Sequence, residues 1–495
     1  RHHHLLNPRA APPSTNDHIH HMSSLRPISV HSRIRRSSTA FLAALVIGHC
    51  SWVIPVQLRA AQLDLTTATI AELQAAMEKG ALTSEKLVEL YLARIDAYDK
   101  QGPKINSVIA LKDRATALAE ARALDAERKA GKVRGPLHGT VVVAKDVFDT
   151  FDMPTTGGYL PLKGVKPTKD SFIIKKLREA GVVVLAKLNQ SDWYGQPPNT
   201  ASSTLGGSTL NPYDLKRTPG WSSSGTGAAV AAVFGTIGLG SETGFSIRTP
   251  TSDSNLYGLS TTSGLISRDG QMWSYITGER GGPMTRNMYD LAATLDAIAG
   301  FDPFDMWTAQ SLGQMPMIPY VSFLDPKGLN GARVGVLKEG WDFHSPEHDP
   351  EVVAMAKKSI ALFGEHGAKV FDPVALGINL PQYLEANSSP GRYERIHAIN
   401  HYLARQGPSY PIKNARQLLL DHGVANVTHR PADKTNLENL VDLDRDPQYR
   451  ATLEGRIALR AMVVALMDRY QLDALIYPHK LSKALVIGPR DDPER

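Results

Sequence analysis

Three short apolar runs limit what this chain can fold into: Val141-Val-Val-Ala144, Val182–Ala186 and Ile237–Leu239. Each is too short for a stable helix and apolar at every position, so each reads as a strand covered on both faces. Helical patterns lie between them, over Asp170–Ala180 and over residues 225–235. Upstream, Thr69-Ile-Ala-Glu72 has the form of a capping box. A second helix starts at Thr83 or Ser84 and carries Leu87, Leu90, Tyr91, Ile95 and Tyr98 on one face, and a third covers about Arg114–Lys129. Strands alternating with helices define the α/β class, with a mixed central sheet covered by helices on both faces. Downstream, Arg333–Leu337 and Ala368–Phe371 read as strands around a helix opened by Asp349-Pro350. Residues 380–470 form a helical insertion ending in an amphipathic helix over Tyr449–Tyr470, and Ala474–Tyr477 returns as strand. No internal repeat and no long linker interrupts this pattern. The expected organisation is a leader over 1–61, one domain over 62–485 and a polar tail over 486–495.

Charge sharpens the division. The chain carries a formal net charge of +6, which on its face suggests a nucleic-acid or membrane-surface partner. Residues 1–61 hold seven arginines against the single acid Asp17, which leaves 48 basic and 48 acidic side chains in the body. The body is therefore neutral and offers no nucleic-acid footprint. Arg33-Ile-Arg-Arg36 precedes the apolar run Ala40–Ile47, and small residues follow at Ala60-Ala61, the layout of a secretory signal peptide over about 22–61. The run is too short to span a bilayer, so no stable membrane insertion is expected. A periplasmic or secreted location follows, with a cytoplasmic one as the alternative if the leader is an attached basic tail. The sole cysteine, Cys50, lies in the leader, so thiol chemistry is not expected of the body.

Two glycine/serine-rich stretches carry the chemistry. The first is Pro219-Gly-Trp-Ser222-Ser223-Ser224-Gly225-Thr-Gly-Ala-Ala-Val230; the second is Gly240-Ser-Glu-Thr243-Gly244-Phe245-Ser246-Ile-Arg248-Thr-Pro250. Neither is a phosphate loop, a dinucleotide site or a nucleophile elbow. Taken alone, each also fits a flexible loop, but both abut buried apolar segments. Lys145 stands directly at the end of the Val141–Ala144 strand. It can snorkel to solvent or be buried, and burial disfavours the ammonium and leaves an amine able to take a proton. A serine hydroxyl needs such a base. Lysine and serines on glycine-rich backbone, with N–H groups left for an oxyanion, make a serine hydrolase possible without histidine.

The order and spacing of these segments resemble the amidase signature enzymes, from about Thr69 to Pro478. Gly135–Asp146, Asn211–Gly220 leading into Ser222–Ala229, Gly240–Pro250 and Gly282-Pro-Met-Thr-Arg286 carry the resemblance. It implies a single amidase-signature domain with Lys145 as base, Ser222 as the bridging serine in a cis peptide and Ser246 as nucleophile. It also implies an oxyanion hole from the N–H groups of Thr243, Gly244, Phe245 and Ser246. No metal or organic cofactor is implied. Asp146, Ser223 and Arg248 are expected to support the site, Asp146 by orienting backbone or Lys145 and Arg248 as an ion-pair partner. The chain departs from the family at Phe245 and Trp221, where glycine is usual, and at Glu242, where aspartate is usual. The family's glycine/proline-rich segment after Pro478 is also expected to be missing.

The activity this implies is hydrolysis of carboxamide or anilide C–N bonds in a small-molecule amide. Two alternatives stand beside it: an amidotransferase A-type subunit releasing ammonia from glutamine, and a non-catalytic binding protein on the same scaffold. His397 and His401 fall four apart on a helix, but without the intervening glutamate of a zinc protease they read as surface histidines. Trp193, Tyr194, Trp273 and Tyr275 are candidates either for an acyl pocket or for core packing.

Overall fold

The computed structural model describes residues 63–192, 201–341, 348–387, 390–421, 437 and 440–488. The expected leader, Trp193, Tyr194 and residues 489–495 of the expected tail lie outside the described residues.

The N-terminal third contains α1 (Ile70–Glu78), α2 (Ser84–Tyr98), β1 (Val108–Leu111), α3 (Arg114–Lys129), β2 (Val141–Lys145), α4 (Phe172–Glu179) and β3 (Val183–Leu188). A small hairpin of β4 (Ser202–Ser203) and β5 (Gly207–Ser208) follows. Next come α5 (Ser224–Ala231), β6 (Ile237–Glu242), α6 (Arg248–Asp253), β7 (Tyr257–Gly258), β8 (Arg280–Thr285) and α7 (Met288–Ile298). The C-terminal part holds β9 (Arg333–Leu337), α8 (Pro350–Glu365), β10 (Lys369–Val374), α9 (Leu380–Asn387), α10 (Gly391–Arg405), α11 (Pro447–Tyr470) and β11 (Ala474–Ile476).

The capping box opens α1: Glu72 donates its N–H to Thr69 Oγ1 at 3.2 Å, and the Thr69 N–H donates to the Glu72 carboxylate at 2.8 Å. Six strands form the central sheet in the order β1-β3-β2-β6-β8-β7. The middle three run parallel, while β1, β8 and β7 are antiparallel to their neighbours. The alternation along β2 and β3 divides the core. Val141, Val143, Val183 and Leu185 pack with α2, α3 and α5 on one face; Val142, Ala144 and Val184 pack with α4, α7 and α10 on the other. Burial on both faces is why these strands read as unbroken apolar runs.

The late strands do not extend this sheet. They form a second, three-stranded parallel sheet in the order β10-β9-β11, packed on α11 through Leu337, Val374, Leu466 and Leu472. Residues 478–487 then return to the central body: Leu485 O accepts the Thr218 N–H at 2.8 Å, and the Ile487 N–H donates to Lys216 O at 2.9 Å. Packed chain thus continues two residues into the stretch expected to be tail. Among the described residues, no helix is long and apolar enough to cross a membrane.

Candidate active site

The carboxyl ends of parallel strands are where α/β sheets place ligands, and here they gather the chemistry-bearing residues. Lys145 ends β2, and Ser241 and Glu242 end the neighbouring β6. Helix α5 brings in Ser222 and Ser223 at its N-terminal end. It lies close because β6 is glycine-rich: a Cβ at Gly238 would stand 2.5 Å from Val230 Cγ2 and 2.8 Å from Thr226 Cγ2. Gly225 lets the helix start against β3, where a Cβ would fall 2.3 Å from Asn189 O.

Lys145 is fully buried, and its Nζ donates to Ser222 Oγ at 2.7 Å and to Ser241 Oγ at 2.9 Å. Burial lowers its pKa from 10.5 to about 7, against the opposing pull of the Glu279 and Glu242 carboxylates. Near neutral pH a large fraction is therefore free amine, the form that accepts a proton. Ser223 holds the partner strand in place: its hydroxyl donates to Ser241 O at 3.1 Å and accepts the Ser241 N–H at 3.2 Å.

Loop 243–247 is held from below by Glu242, which is buried. One carboxylate oxygen accepts the Ile247 and Arg248 N–H groups, both at 2.9 Å, and the other accepts Arg248 Nε at 2.7 Å. Arg248 also donates to Gly244 O and lies over the Phe245 ring. It thus acts as an ion-pair partner that closes the loop on itself. Thr243 Oγ1 donates to Glu279 at 2.6 Å. With the loop so fixed, the N–H groups of Thr243, Gly244 and Ser246 donate to nothing among the described residues. A Cβ at Gly244 would meet nothing within 4 Å, so the loop faces open space there. Ser246 is buried at 7% exposure; among the described residues its hydroxyl is bonded neither to Ser222 nor to Lys145, whose amine reaches Ser222 and Ser241 instead. Fixed donors beside this hydroxyl can stabilise an oxyanion.

The structure decides between the open expectations for Asp146 and Trp273, and overturns the cis peptide expected at Ser222. Asp146 turns away from Lys145: it pairs with Lys187 at 3.0 Å and accepts the Thr156 N–H at 3.1 Å, so it orients the 156–158 turn. The bonds flanking Ser222 are trans, since the cis peptide among the described residues is Asp372–Pro373. With Trp221 in place of glycine and packed on Phe245, the trans backbone already delivers the Ser222 hydroxyl to Lys145. Trp273 belongs to the core, with its indole N–H on Arg268 O at 3.0 Å and its ring stacked on His401 at 4.3 Å. His397 is bound to Val441 O at 2.9 Å.

Ser241 and Glu279 are site residues that sequence reasoning missed. Ser241 lies two positions beyond Leu239 on the same side of β6, a signal hidden by ending the strand where its apolar run ends. Nothing in the sequence near Glu279 indicates its partners. Among the described residues, no group of three or more His, Cys, Asp or Glu is placed to hold a metal ion.

Comparisons with known proteins converge on one family. A family model described as Amidase matches residues 86–494. The chain is 35% identical over 442 residues to the A-type subunit of the glutamyl-tRNA(Gln) amidotransferase of Streptomyces coelicolor, covering 87% of this chain and 84% of that protein. It is 36% identical over 310 residues to the same-named subunit of Streptomyces avermitilis, a match spanning 63% of this chain and 59% of that protein's length. Among solved structures, the native peptide amidase from Stenotrophomonas maltophilia is similar with a TM-score of 0.71 and 32% identity, over 83% of this chain and 84% of that one.

Proposed function

Since this chain belongs to the amidase family, we propose that it hydrolyses carboxamide or anilide C–N bonds through an acyl-enzyme on Ser246. Neutral Lys145 accepts the Ser222 proton as Ser222 takes the proton of Ser246. Ser246 attacks the amide carbonyl, and the backbone N–H groups of Thr243, Gly244, Phe245 and Ser246 receive the oxyanion. Ser222 then protonates the departing amine, and water releases the acid by the reverse relay. The observation that carries the proposal is the buried Lys145 amine, 2.7 Å from Ser222 Oγ and held at a pKa of about 7.

Covalent labelling with a fluorophosphonate tests it. Wild type should be labelled at Ser246, and Ser246→Ala should not; a folded wild type that takes no label at Ser246 sinks the proposal. The amidotransferase subunits among the relatives favour a second reading, in which the same site releases ammonia from glutamine for partner subunits. Turnover of simple amides by the isolated chain, with no glutamine or partner added, separates the two. Within the hydrolase reading, 62–485 is the catalytic domain and about 22–61 is an export leader to the periplasm or exterior. Its support is the arginine-then-apolar order of the leader and the neutral body. N-terminal sequencing of protein from the culture medium or periplasm checks it.

A further inference from the structure

Beside the two serine loops lies a cavity of about 180 Å³. Its walls come from Gly220, Trp221 and Phe245, from Thr249 and Asp253 of α6, and from the returning segment between His479 and Leu485. Trp221 and Phe245 immediately precede Ser222 and Ser246, and their ring centroids are 5.5 Å apart. Consecutive Cα atoms are about 3.8 Å apart, so the backbone of this aromatic wall runs directly into each serine, although neither serine itself lines the cavity. The His479 ring lies 6.3 Å from that of Phe245, and its Nε2 is 2.8 Å from Thr249 Oγ1.

The far wall is fastened at both ends. Lys480 pairs with Asp253 of α6, while Leu485 is bonded to Thr218 and Ile487 to Lys216. Each lysine of the wall faces an acid, Lys480 with Asp253 and Lys483 with Asp349 and Glu351. The lining is therefore mainly apolar, with its charges already answered.

Resting on the amide-hydrolase reading, we propose that this cavity is a substrate subsite for one aromatic ring, or a flat apolar group of that size, carried next to the scissile amide. The size agrees, since an apolar cavity of roughly 150 Å³ takes up benzene. The chemistry agrees as well, because paired aromatic rings offer a further ring offset-stacked or edge-on contacts. Trp221 and Phe245, at positions where glycine would leave the wall open, thereby become specificity-determining residues.

Hydrolysis of propionamide, benzamide and acetanilide tests the subsite, with the ring on neither side, the acyl side or the amine side of the bond. Trp221→Gly removes a ring from the near wall, and Leu485→Trp fills the cavity from the far one. Each should lower the ratio of kcat/KM for a ring amide to that for propionamide by about tenfold. The arm that responds, benzamide or acetanilide, shows which side of the bond the cavity serves. Ratios unchanged in both variants, with propionamide still turned over, overturn the subsite and leave the hydrolase reading standing. Loss of that reading has another signature: no amide is turned over and Ser246 takes no fluorophosphonate, in which case the subsite falls with it.

Discussion

Replacing Lys145 with methionine removes the amine while keeping most of its volume, and two measurements then respond. Burial brings the amine from 10.5 down to about 7. At about 1.36 kcal/mol per unit, the folded state disfavours the charged form by about 5 kcal/mol. The unfolded chain binds this proton below pH 10.5, whereas the folded chain binds it only below about pH 7. Wild-type stability from this group therefore falls as pH drops from about 10 to 7, by about 1.4 kcal/mol per unit, and is level below that. The methionine variant has no such slope, so urea melts between pH 9.5 and 7 should show it gaining on wild type as pH falls. The catalytic readout is the acid limb. With a base of pKa about 7, the neutral fraction is about one half at pH 7, about 10% at pH 6 and about 1% at pH 5. Wild-type kcat/KM should follow that fraction, and the variant should lose about 10²- to 10⁴-fold along with the limb. A wild-type profile flat from pH 5 to 8 in folded protein, or a stability difference that ignores pH, refutes the neutral-amine argument.

Glu279→Gln removes a carboxylate that favours the charged form of Lys145, so the acid limb should move to lower pH; a limb that stays put removes Glu279 from the electrostatics of the site. Glu242→Gln weakens the two N–H clamps and the Arg248 pair beneath the loop. It should cost about 2–4 kcal/mol in urea melts, and a change under 0.5 kcal/mol would contradict the clamp. Gly238→Val puts a side chain where Val230 and Thr226 already stand, so it should push α5 outward. Expected are a loss of about 1–3 kcal/mol and slower labelling of Ser246, because Ser222 rides on that helix. Unchanged stability would show that α5 can shift freely.

Legibility along the chain followed apolarity. Strand β2 and the α3 helix fell at or near their expected bounds because each has a pattern set by its own neighbours: full burial for one, amphipathic spacing for the other. The apolar pattern ends β6 three residues early, at Leu239 and not Glu242. Its last residues, Ser241 and Glu242, are polar, and their burial is stabilised by partners elsewhere: the Lys145 amine, the Ser223 hydroxyl and the Arg248 guanidinium. The late strands are legible as strands, but their assembly into a second sheet is not, because register and partner are properties of two segments at once. Asp146 illustrates the same limit. Adjacent to Lys145 in sequence, it lies in the turn just after β2 and pairs with Lys187 of β3, a partner that chain order does not reveal.

By itself the sequence determined the layered α/β architecture, the neutral body, the lysine at a strand end and the two serine loops that resemble the amidase signature. All of these are local patterns or counts. Tertiary structure alone decided that the amine is buried against Ser222 and Ser241, and that Glu242 and Glu279 hold the loop of Ser246. It also decided that Trp221 and Phe245, 24 residues apart, close one wall of a ring-sized cavity. The reason is physical. A pKa and a cavity are set by what surrounds a group in space, and those surroundings come from segments that the chain order keeps apart.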